Sequence, residues 1–263
     1  MNATLTLSAW GALFSRDVRA FLRSRSQLGS SLLFPLMLLA LLGIGVSDGL
    51  DPSSLRNGDY TTYLVPGIMV MTALFSSTFS SASFYQDRDS GMLKVLLVSP
   101  HTAVSILIGK ALGGIAIGSI QALAILAIAS AIPAIDLEWQ YGIVLSVLLA
   151  VATVVLLNLL LSGLAQVLAS RIRTMQGFHL IMNVVLFPLL FLSGAFFPLS
   201  ELPTWLQALA LADPLSYAVD LLQLALYADG SADNIGLIPD FAVLGALAAA
   251  LLVLGARRPP LME

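Results

Sequence analysis

Long apolar segments dominate this chain, and they limit the folds open to it more than any other feature. Hydrophobic residues make up 58% of the sequence and charged residues only 10%, whereas a soluble domain has about 25% charged residues. A helix of roughly 20 apolar residues crosses the ~30 Å hydrocarbon core of a bilayer, and helices satisfy their own backbone hydrogen bonds in lipid. The sequence therefore predicts an all-α integral membrane protein, a single domain over residues 1–263. Its six transmembrane helices are expected at about 29–47, 63–84, 106–132, 141–168, 178–199 and 236–256.

The basic residues predict the orientation of these spans. Every Lys and Arg except Arg56 falls before the first span, between the second and third or at the start of the third (Lys110), between the fourth and fifth, or after the last. An excess of Lys and Arg marks the cytoplasmic side of a membrane protein. Both termini are therefore expected inside, and the predicted loop at 85–105 is expected to be cytoplasmic.

Residues 8–28 predict a separate amphipathic helix. One helical face carries the apolar residues Trp10, Leu13, Phe14, Val18, Phe21 and Leu22, and the opposite face carries Arg16, Arg19 and Arg23. A helix of this kind lies in the membrane interface with its arginines toward anionic headgroups. The alternative is a basic cytoplasmic lead-in that only fixes topology.

Residues 200–226 predict two short external helices that dip back into the outer leaflet. Ser200 with nearby Pro203, and Asp213 with Pro214, have the pattern of a capping side chain followed by a proline in the first turn. The segment is apolar and contains neither Lys nor Arg. A re-entrant pair is expected rather than a further span.

Residues for catalysis or cofactor binding are nearly absent from the sequence. The two histidines, His101 and His179, have no metal-ligand spacing to a carboxylate. Gly109-Lys110 resembles the end of a phosphate loop, but Val104 and Ala111 occupy the positions that require Gly and Ser or Thr. No metal, no cofactor and no enzymatic activity are expected of this chain. The spans also lack mid-membrane charges, which disfavours autonomous ion coupling.

Several polar residues do occur within the spans, and two interpretations of them stay open. They could line a transport path, or they could hydrogen-bond between packed helices. The candidates are Ser76, Ser80, Asn158, Ser162, Gln166, His179 and Asn183.

One charged stretch lies between the second and third apolar segments. YQDRDSGMLKVLLVSPHT, residues 85–102, contains Asp87, Arg88, Asp89 and Lys94 and then a short apolar run. A connector held in water by its charges is the simplest interpretation. A docking element for a cytoplasmic partner is the alternative.

Three stretches resemble the membrane (permease) subunits of type-2 ABC exporters, the family of drug-resistance and nodulation-type permeases. They are FYQDRDSGMLKVLLVSPHTAVSILIGKALGG (84–114), LFLSGAFFPLSELPTWLQALALADPLSYAVDLLQ (190–223) and the start, RDVRAFLRSRSQLGSSLLFPLMLLALLGIG. They occur in the order expected for the family and are distributed from residue 16 to residue 223. Lys94 and Gln223 depart from the family pattern, which often has Glu and Arg there.

The resemblance implies a permease subunit that works with a second copy or a close paralogue. Two ABC ATPase subunits would bind ATP and Mg, membrane lipids would surround the complex, and no nucleic-acid partner is expected. The protein would lie in the plasma (inner) membrane of a bacterium or archaeon and export an amphipathic, lipid-like, drug or glycan substrate. An ATP-independent secondary carrier is the alternative.

The resemblance also implies a role for the charged stretch, as a coupling segment that docks into the ATPase. Asp87, Arg88 and Asp89 would set its register by electrostatic complementarity. Gly91 would allow a tight turn, and an apolar anchor would follow. The coupling residues are Asp87, Arg88, Asp89, Gly91, Leu93, Leu96, Leu97 and Pro100.

Overall fold

The computed structural model describes residues 3–46, 59–89, 103–172, 174–227 and 236–257. Within these ranges the chain is helical and has no strand, which confirms the all-α class. The helices are α1 (Ala3–Arg23), α2 (Arg25–Val46), α3 (Tyr60–Asp89), α4 (Ala103–Ser130), α5 (Ile143–Ala169), α6 (Met175–Leu192), α7 (Thr204–Ala212), α8 (Pro214–Leu226) and α9 (Leu237–Arg257), with a 3-10 turn at Leu199–Glu201.

Helix α3 lies at the centre of the molecule. It is 30 residues long and packs against α2, α4, α5, α6 and α8. Leu64, Val65 and Ile68 in its first half are fully buried. Pro66 lies in the same half, and such a proline is tolerated in a membrane helix because neighbouring groups satisfy the freed backbone carbonyl. α3 therefore connects these five helices.

Four helices in the described ranges are long and apolar enough to span a membrane. They are Ala111–Ala131 within α4, Ile143–Ala169, Met175–Leu192 and Leu237–Gly255, and they correspond to the third to sixth predicted spans. The apolar part of α2 is shorter, Ser31–Gly45, and α3 becomes serine-rich and then charged toward its end. The first two predicted spans, and with them the count of six, stay predictions.

The end of the fifth predicted span is corrected by the structure. Helix α6 ends at Leu192 instead of continuing to residue 199. Gly194 has a φ of 77°, a left-handed conformation that glycine adopts without steric cost and that stops the helix. The turn then folds back onto α3, where a Cβ on Gly67 would lie 2.2 Å from the carbonyl oxygen of Ala195.

The N-terminal helix also differs from its predicted bounds of 8–28. α1 ends at Arg23 and α2 begins at Arg25, so the end of the predicted element belongs to the next helix. α1 packs against α4. Asp17, which interrupts the apolar face in the sequence, lies against Gly113 of α4 and accepts a hydrogen bond from Nε of Arg16 at 2.9 Å. The absence of a side chain at Gly113 leaves room for this carboxylate.

The two short helices α7 and α8 form a pair bent by 90°. Asp213 caps α8, since its Oδ1 accepts the N–H of Leu215 at 2.8 Å, and Pro214 occupies the first turn as predicted. The other predicted cap is different: α7 begins after Pro203 without a side-chain cap, and Ser200 lies in the 3-10 turn.

Both ends of this helix pair lie beside the first turn of α3. Before α7, the carbonyl of Phe196 accepts a hydrogen bond from the hydroxyl of Tyr60 at 2.9 Å. After α8, the hydroxyl of Tyr227 donates to the carbonyl of Thr62. A pair that begins and ends at the same end of α3 has the geometry that a re-entrant arrangement requires. The external re-entrant location of 200–226 stays a prediction that these contacts favour.

Candidate translocation surface and coupling region

A groove runs between α3 and α6 in the middle of the molecule. It is shallow and partly open to the surface, with enclosed room for about one water molecule. Its lining is apolar except for Thr78 and Asn183. The hydroxyl of Thr78 donates to the carbonyl of Leu74 in its own helix at 2.9 Å, whereas Asn183 is exposed. The groove thus combines an apolar wall with one accessible amide. Its lining residues are Leu74, Phe75, Thr78, Asn183, Leu186, Phe187 and Leu190.

Aromatic contacts extend this groove to α2. Phe75 makes edge-to-face contacts with Phe34 of α2 at 5.9 Å between ring centroids and with Phe187 of α6 at 5.8 Å. Such pairs add stabilisation beyond the area they bury. α2, α3 and α6 therefore share one apolar surface, on which α2 and α6 expose large side chains. These are Leu33, Phe34, Met37, Leu41 and Ile44 on α2, and Leu180, Val184, Phe187 and Phe191 on α6.

The other polar candidates on α3 and α6 are not among the lining residues of this groove. Ser76 is buried, and its Oγ has no hydrogen-bond partner among the described residues. His179 is half-buried, with its ring 6.0 Å from that of Phe178. Ser80 belongs to α3, but its side chain lies outside the described part. The structure thus brings Asn183 to the groove, whereas Ser76 and His179 do not belong to its lining.

Two of the three polar candidates on α5 lie in contacts between helices. Asn158 is buried and donates from Nδ2 to the carbonyl of Val154 at 2.9 Å. Gly118 of α4 approaches it so closely that a Cβ there would lie 2.1 Å from Oδ1 of Asn158. Gln166 lies against Gly255 of α9 in the same way. Ser162, on the same helix, is half-buried. The structure therefore places Asn158 and Gln166 at packed interfaces and not in the lining of the groove.

The charged residues predicted for coupling continue directly from α3. Asp87, Arg88 and Asp89 are the last residues of that helix. The other predicted coupling residues, Gly91, Leu93, Leu96, Leu97 and Pro100, lie outside the described residues. The predicted loop at 85–105 therefore begins as helix and reaches α4 at Ala103.

Buried tyrosines near both ends of α3 were not recognised as candidates from the sequence. Tyr60 and Tyr63 stack with ring centroids 6.2 Å apart, and the hydroxyl of Tyr63 donates to the carbonyl of Gly194 at 2.6 Å. At the other end, Tyr85 is fully buried and donates to the carbonyl of Ile172 at 3.0 Å. A buried tyrosine usually requires a hydrogen-bond partner for its hydroxyl, and that requirement is the signal the sequence offers.

Metal chemistry finds no support in the described ranges. There, no three His, Asp or Glu side chains form a group that could hold a metal ion. The expectation that this chain binds no cofactor stays a prediction.

The fold and this surface define a multi-pass, all-helical membrane protein. A family profile described as "ABC-2 type transporter" matches residues 8–227. The chain belongs to the ABC-2 type transporter family, whose function is membrane transport.

Individual relatives agree with this assignment. The chain is 32% identical over 180 residues to the probable multidrug ABC transporter permease YbhR of Escherichia coli K12, a match that covers 67% of this chain and 47% of the relative. It therefore spans about half the length of that relative. Nodulation protein J of Bradyrhizobium diazoefficiens is 28% identical over 249 residues, covering 89% of this chain and 88% of the relative. The putative transport permease ycf38 of Cyanophora paradoxa is 30% identical over 200 residues, covering 73% and 64%.

Proposed function

We propose that the chain is the permease subunit of an ATP-driven exporter. Two copies, or one copy and a close paralogue, form the membrane path, and separate ABC ATPase subunits supply the energy. The observation that carries the proposal is the family match over residues 8–227. The protein then lies in a plasma (inner) membrane with both termini in the cytoplasm, as its basic residues predict.

The surface shared by α2, α3 and α6 is the proposed site of cargo contact and of pairing. Its large exposed side chains are apolar, so it is suited to a second copy, to lipid or to an apolar cargo. The groove beside it offers the amide of Asn183 among apolar residues. This chemistry favours an amphipathic molecule with a hydrophobic body and a hydrogen-bonding group. The multidrug designation of YbhR agrees with cargo of this class.

Energy enters through the charged end of α3 and the segment that follows it. The chain has no phosphate-binding loop, because Val104 and Ala111 occupy two of the required positions. Residues 87–97 are proposed to dock into the ATPase, with Leu93, Leu96 and Leu97 as the buried anchor. Asp87, Arg88 and Asp89 supply electrostatic complementarity at its edge.

Reconstitution in liposomes tests the proposed function. Vesicles containing the chain and its co-purifying ATPase should transport a fluorescent lipophilic dye when ATP is supplied, and vesicles containing the chain alone should not. The chain alone should also fail to bind ATP. ATP-independent transport by the chain alone would indicate a secondary carrier instead.

Replacement of Leu96 tests the docking of the segment. Leu96→Asp would bury an unpaired carboxylate in the interface, at a cost of several kcal/mol. We expect normal membrane levels but loss of the ATPase in a pull-down. Ser99→Asp adds the same charge to the segment at a polar position and should retain the ATPase. Equal recovery with Leu96→Asp and wild type would contradict docking.

A further inference from the structure

Helix α6 is tied to α3 at both ends by tyrosine hydroxyls. The hydroxyl of Tyr85 donates to the carbonyl of Ile172, just before α6 begins. The hydroxyl of Tyr63 donates to the carbonyl of Gly194, just after α6 ends. A hydroxyl that donates to a main-chain carbonyl constrains the backbone itself, so these contacts determine where each end of α6 lies relative to α3.

Between these two ties, the helices contact each other through Phe75 and Phe187, whose rings meet edge to face at 5.8 Å. The groove lies along the same contact and is lined there by Leu74 of α3 and Leu186 of α6. The two hydroxyl ties fix the ends of this contact. A displacement at one end of α3 would therefore reach the groove through the tie at that end.

The tie made by Tyr85 is the one closest to the proposed coupling segment, at the end of α3 that is predicted to be cytoplasmic. Tyr85 is fully buried, and its ring lies 5.3 Å from that of Phe178 in the first turn of α6. The same uninterrupted helix continues from Tyr85 to Asp89. A continuous helix fixes the spacing of its residues at ~1.5 Å per residue, so displacement of Asp87–Asp89 is expected to move Tyr85 as well.

We propose that Tyr85 is a positioning residue for transport, which passes movement of the charged end of α3 to the cytoplasmic end of α6 and so to the groove. Its ring contact with Phe178 and its hydroxyl bond to Ile172 together join the two helices. This inference rests on the proposed function for its energy source, but the tie itself is a property of the chain alone. Both parts are therefore tested separately.

The tie is tested on the isolated chain by hydrogen–deuterium exchange. Tyr85→Phe retains the ring and removes the hydroxyl. The amide of Phe178 bonds to the carbonyl of Thr174 at the start of α6, and its exchange should become about two- to tenfold faster in the variant, as loss of one hydrogen bond implies.

Tyr227→Phe is the matched control for this measurement. Tyr227 is buried to a similar degree and also donates to a main-chain carbonyl, that of Thr62 in the first turn of α3. The control should leave exchange at the start of α6 unchanged. Unchanged exchange in Tyr85→Phe, or equal acceleration in both variants, would overturn the tie.

Transmission is tested in the complex with the ATPase. The chain has no cysteine, so Asn183→Cys supplies a single reporter in the groove. Its maleimide labelling rate should differ between the nucleotide-free and the ATP–vanadate states, and Tyr85→Phe should reduce that difference about two- to tenfold while the ATPase is still retained. Tyr227→Phe should preserve the difference.

The outcomes separate the two proposals. Transmission through Tyr85 would be overturned by either of two results. In the first, the labelling rate at position 183 is the same in both nucleotide states of the complex that retains Tyr85. In the second, Tyr85→Phe leaves the difference in labelling rate undiminished. Failure of the ATPase to co-purify with wild-type chain would contradict the proposed function instead. The exchange measurement would then still decide whether Tyr85 ties the helices.

Discussion

At the scale of single residues, Gly67 is where α3 and the turn after α6 make their closest approach. A Cβ at this position would lie 2.2 Å from the oxygen and 2.8 Å from the carbon of the Ala195 carbonyl group. This carbonyl group belongs to the backbone, so it cannot move aside as a flexible side chain would. The contact helps to hold the turn that carries the carbonyls bonded by Tyr60 and Tyr63.

This contact reverses the usual effect of replacing a helical glycine. In an open helix interior, replacing Gly with Ala stabilises a protein by roughly 1 kcal/mol. Gly245 of α9 is such a position, because a Cβ added there would have no atom within 4 Å. Gly67→Ala should instead destabilise the protein by about 1–3 kcal/mol through overpacking. Thermal unfolding in detergent should show a lower Tm for Gly67→Ala and an equal or higher Tm for Gly245→Ala. A Tm for Gly67→Ala at or above that of wild type would contradict the contact.

At the scale of helices, α8 shows how a single side chain sets the start of an element. Asp213 is buried, and its Oδ1 accepts the N–H of Leu215. Its Oδ2 has no hydrogen-bond partner in the described part of the chain. The cap therefore uses one oxygen and leaves the other buried without compensation.

Two substitutions at this cap are expected to differ. Asp213→Ala removes the acceptor and should cost about 1 kcal/mol. Asp213→Asn retains an acceptor oxygen and avoids burying a charge, so its stability should equal or exceed that of wild type. Denaturant unfolding in mixed micelles measures both. A loss in Asp213→Asn as large as in Asp213→Ala would mean that the charge, and not the acceptor, stabilises the start of α8.

The comparison of α7 with α8 also shows what the sequence could predict. Asp213-Pro214 identifies the start of α8 because both residues act locally, through a side-chain acceptor and a fixed φ. Ser200 has the same pattern but lies in a 3-10 turn, because the preceding turn is held on α3 by the Gly67 contact. The end of α6 also differs from the predicted one, because Gly194 adopts a φ of 77° and the turn that follows packs against Gly67 of α3. Local signals predicted the existence and type of the helices, while contacts distant in sequence determined these boundaries.

The candidate site shows the same difference between what local sequence predicts and what contacts distant in sequence determine. Asn183 was recognised because an amide in an apolar span is conspicuous, and it lies in the groove. Asn158 was equally conspicuous but contacts Gly118 on a different helix, and nothing in the local sequence distinguishes the two. The tyrosine ties went unrecognised because their partners are main-chain carbonyls, which every residue carries.

At the scale of the whole molecule, the helix pair α7–α8 decides the number of membrane crossings. If the pair crossed the membrane as one bent span, α9 would run in the opposite direction and Arg257 would lie outside. If it folds back, Arg257 lies inside with the other basic clusters, as the distribution of Lys and Arg requires. The backbone favours the second arrangement, because Leu226 at the end of α8 accepts a hydrogen bond from the N–H of Trp139 in the α4–α5 connection. That connection lies between two spans on the predicted external side.

Single-cysteine labelling can therefore determine the topology, since the chain has no cysteine of its own. Gln176 lies in the first turn of α6 and Ser200 lies after its end, and both are exposed. Ser200→Cys should react with an impermeant maleimide in intact cells, and Gln176→Cys only after the membrane is permeabilised. A fluorescent protein fused after Glu263 should fluoresce, because that reporter folds in the cytoplasm, and alkaline phosphatase fused there should be inactive. External Ser200 together with an external C-terminus would mean that α7 and α8 cross the membrane. The hydrogen bonds from Tyr60 to Phe196 and from Tyr227 to Thr62 hold both ends of the helix pair at the same end of α3, so they would have to break in that arrangement.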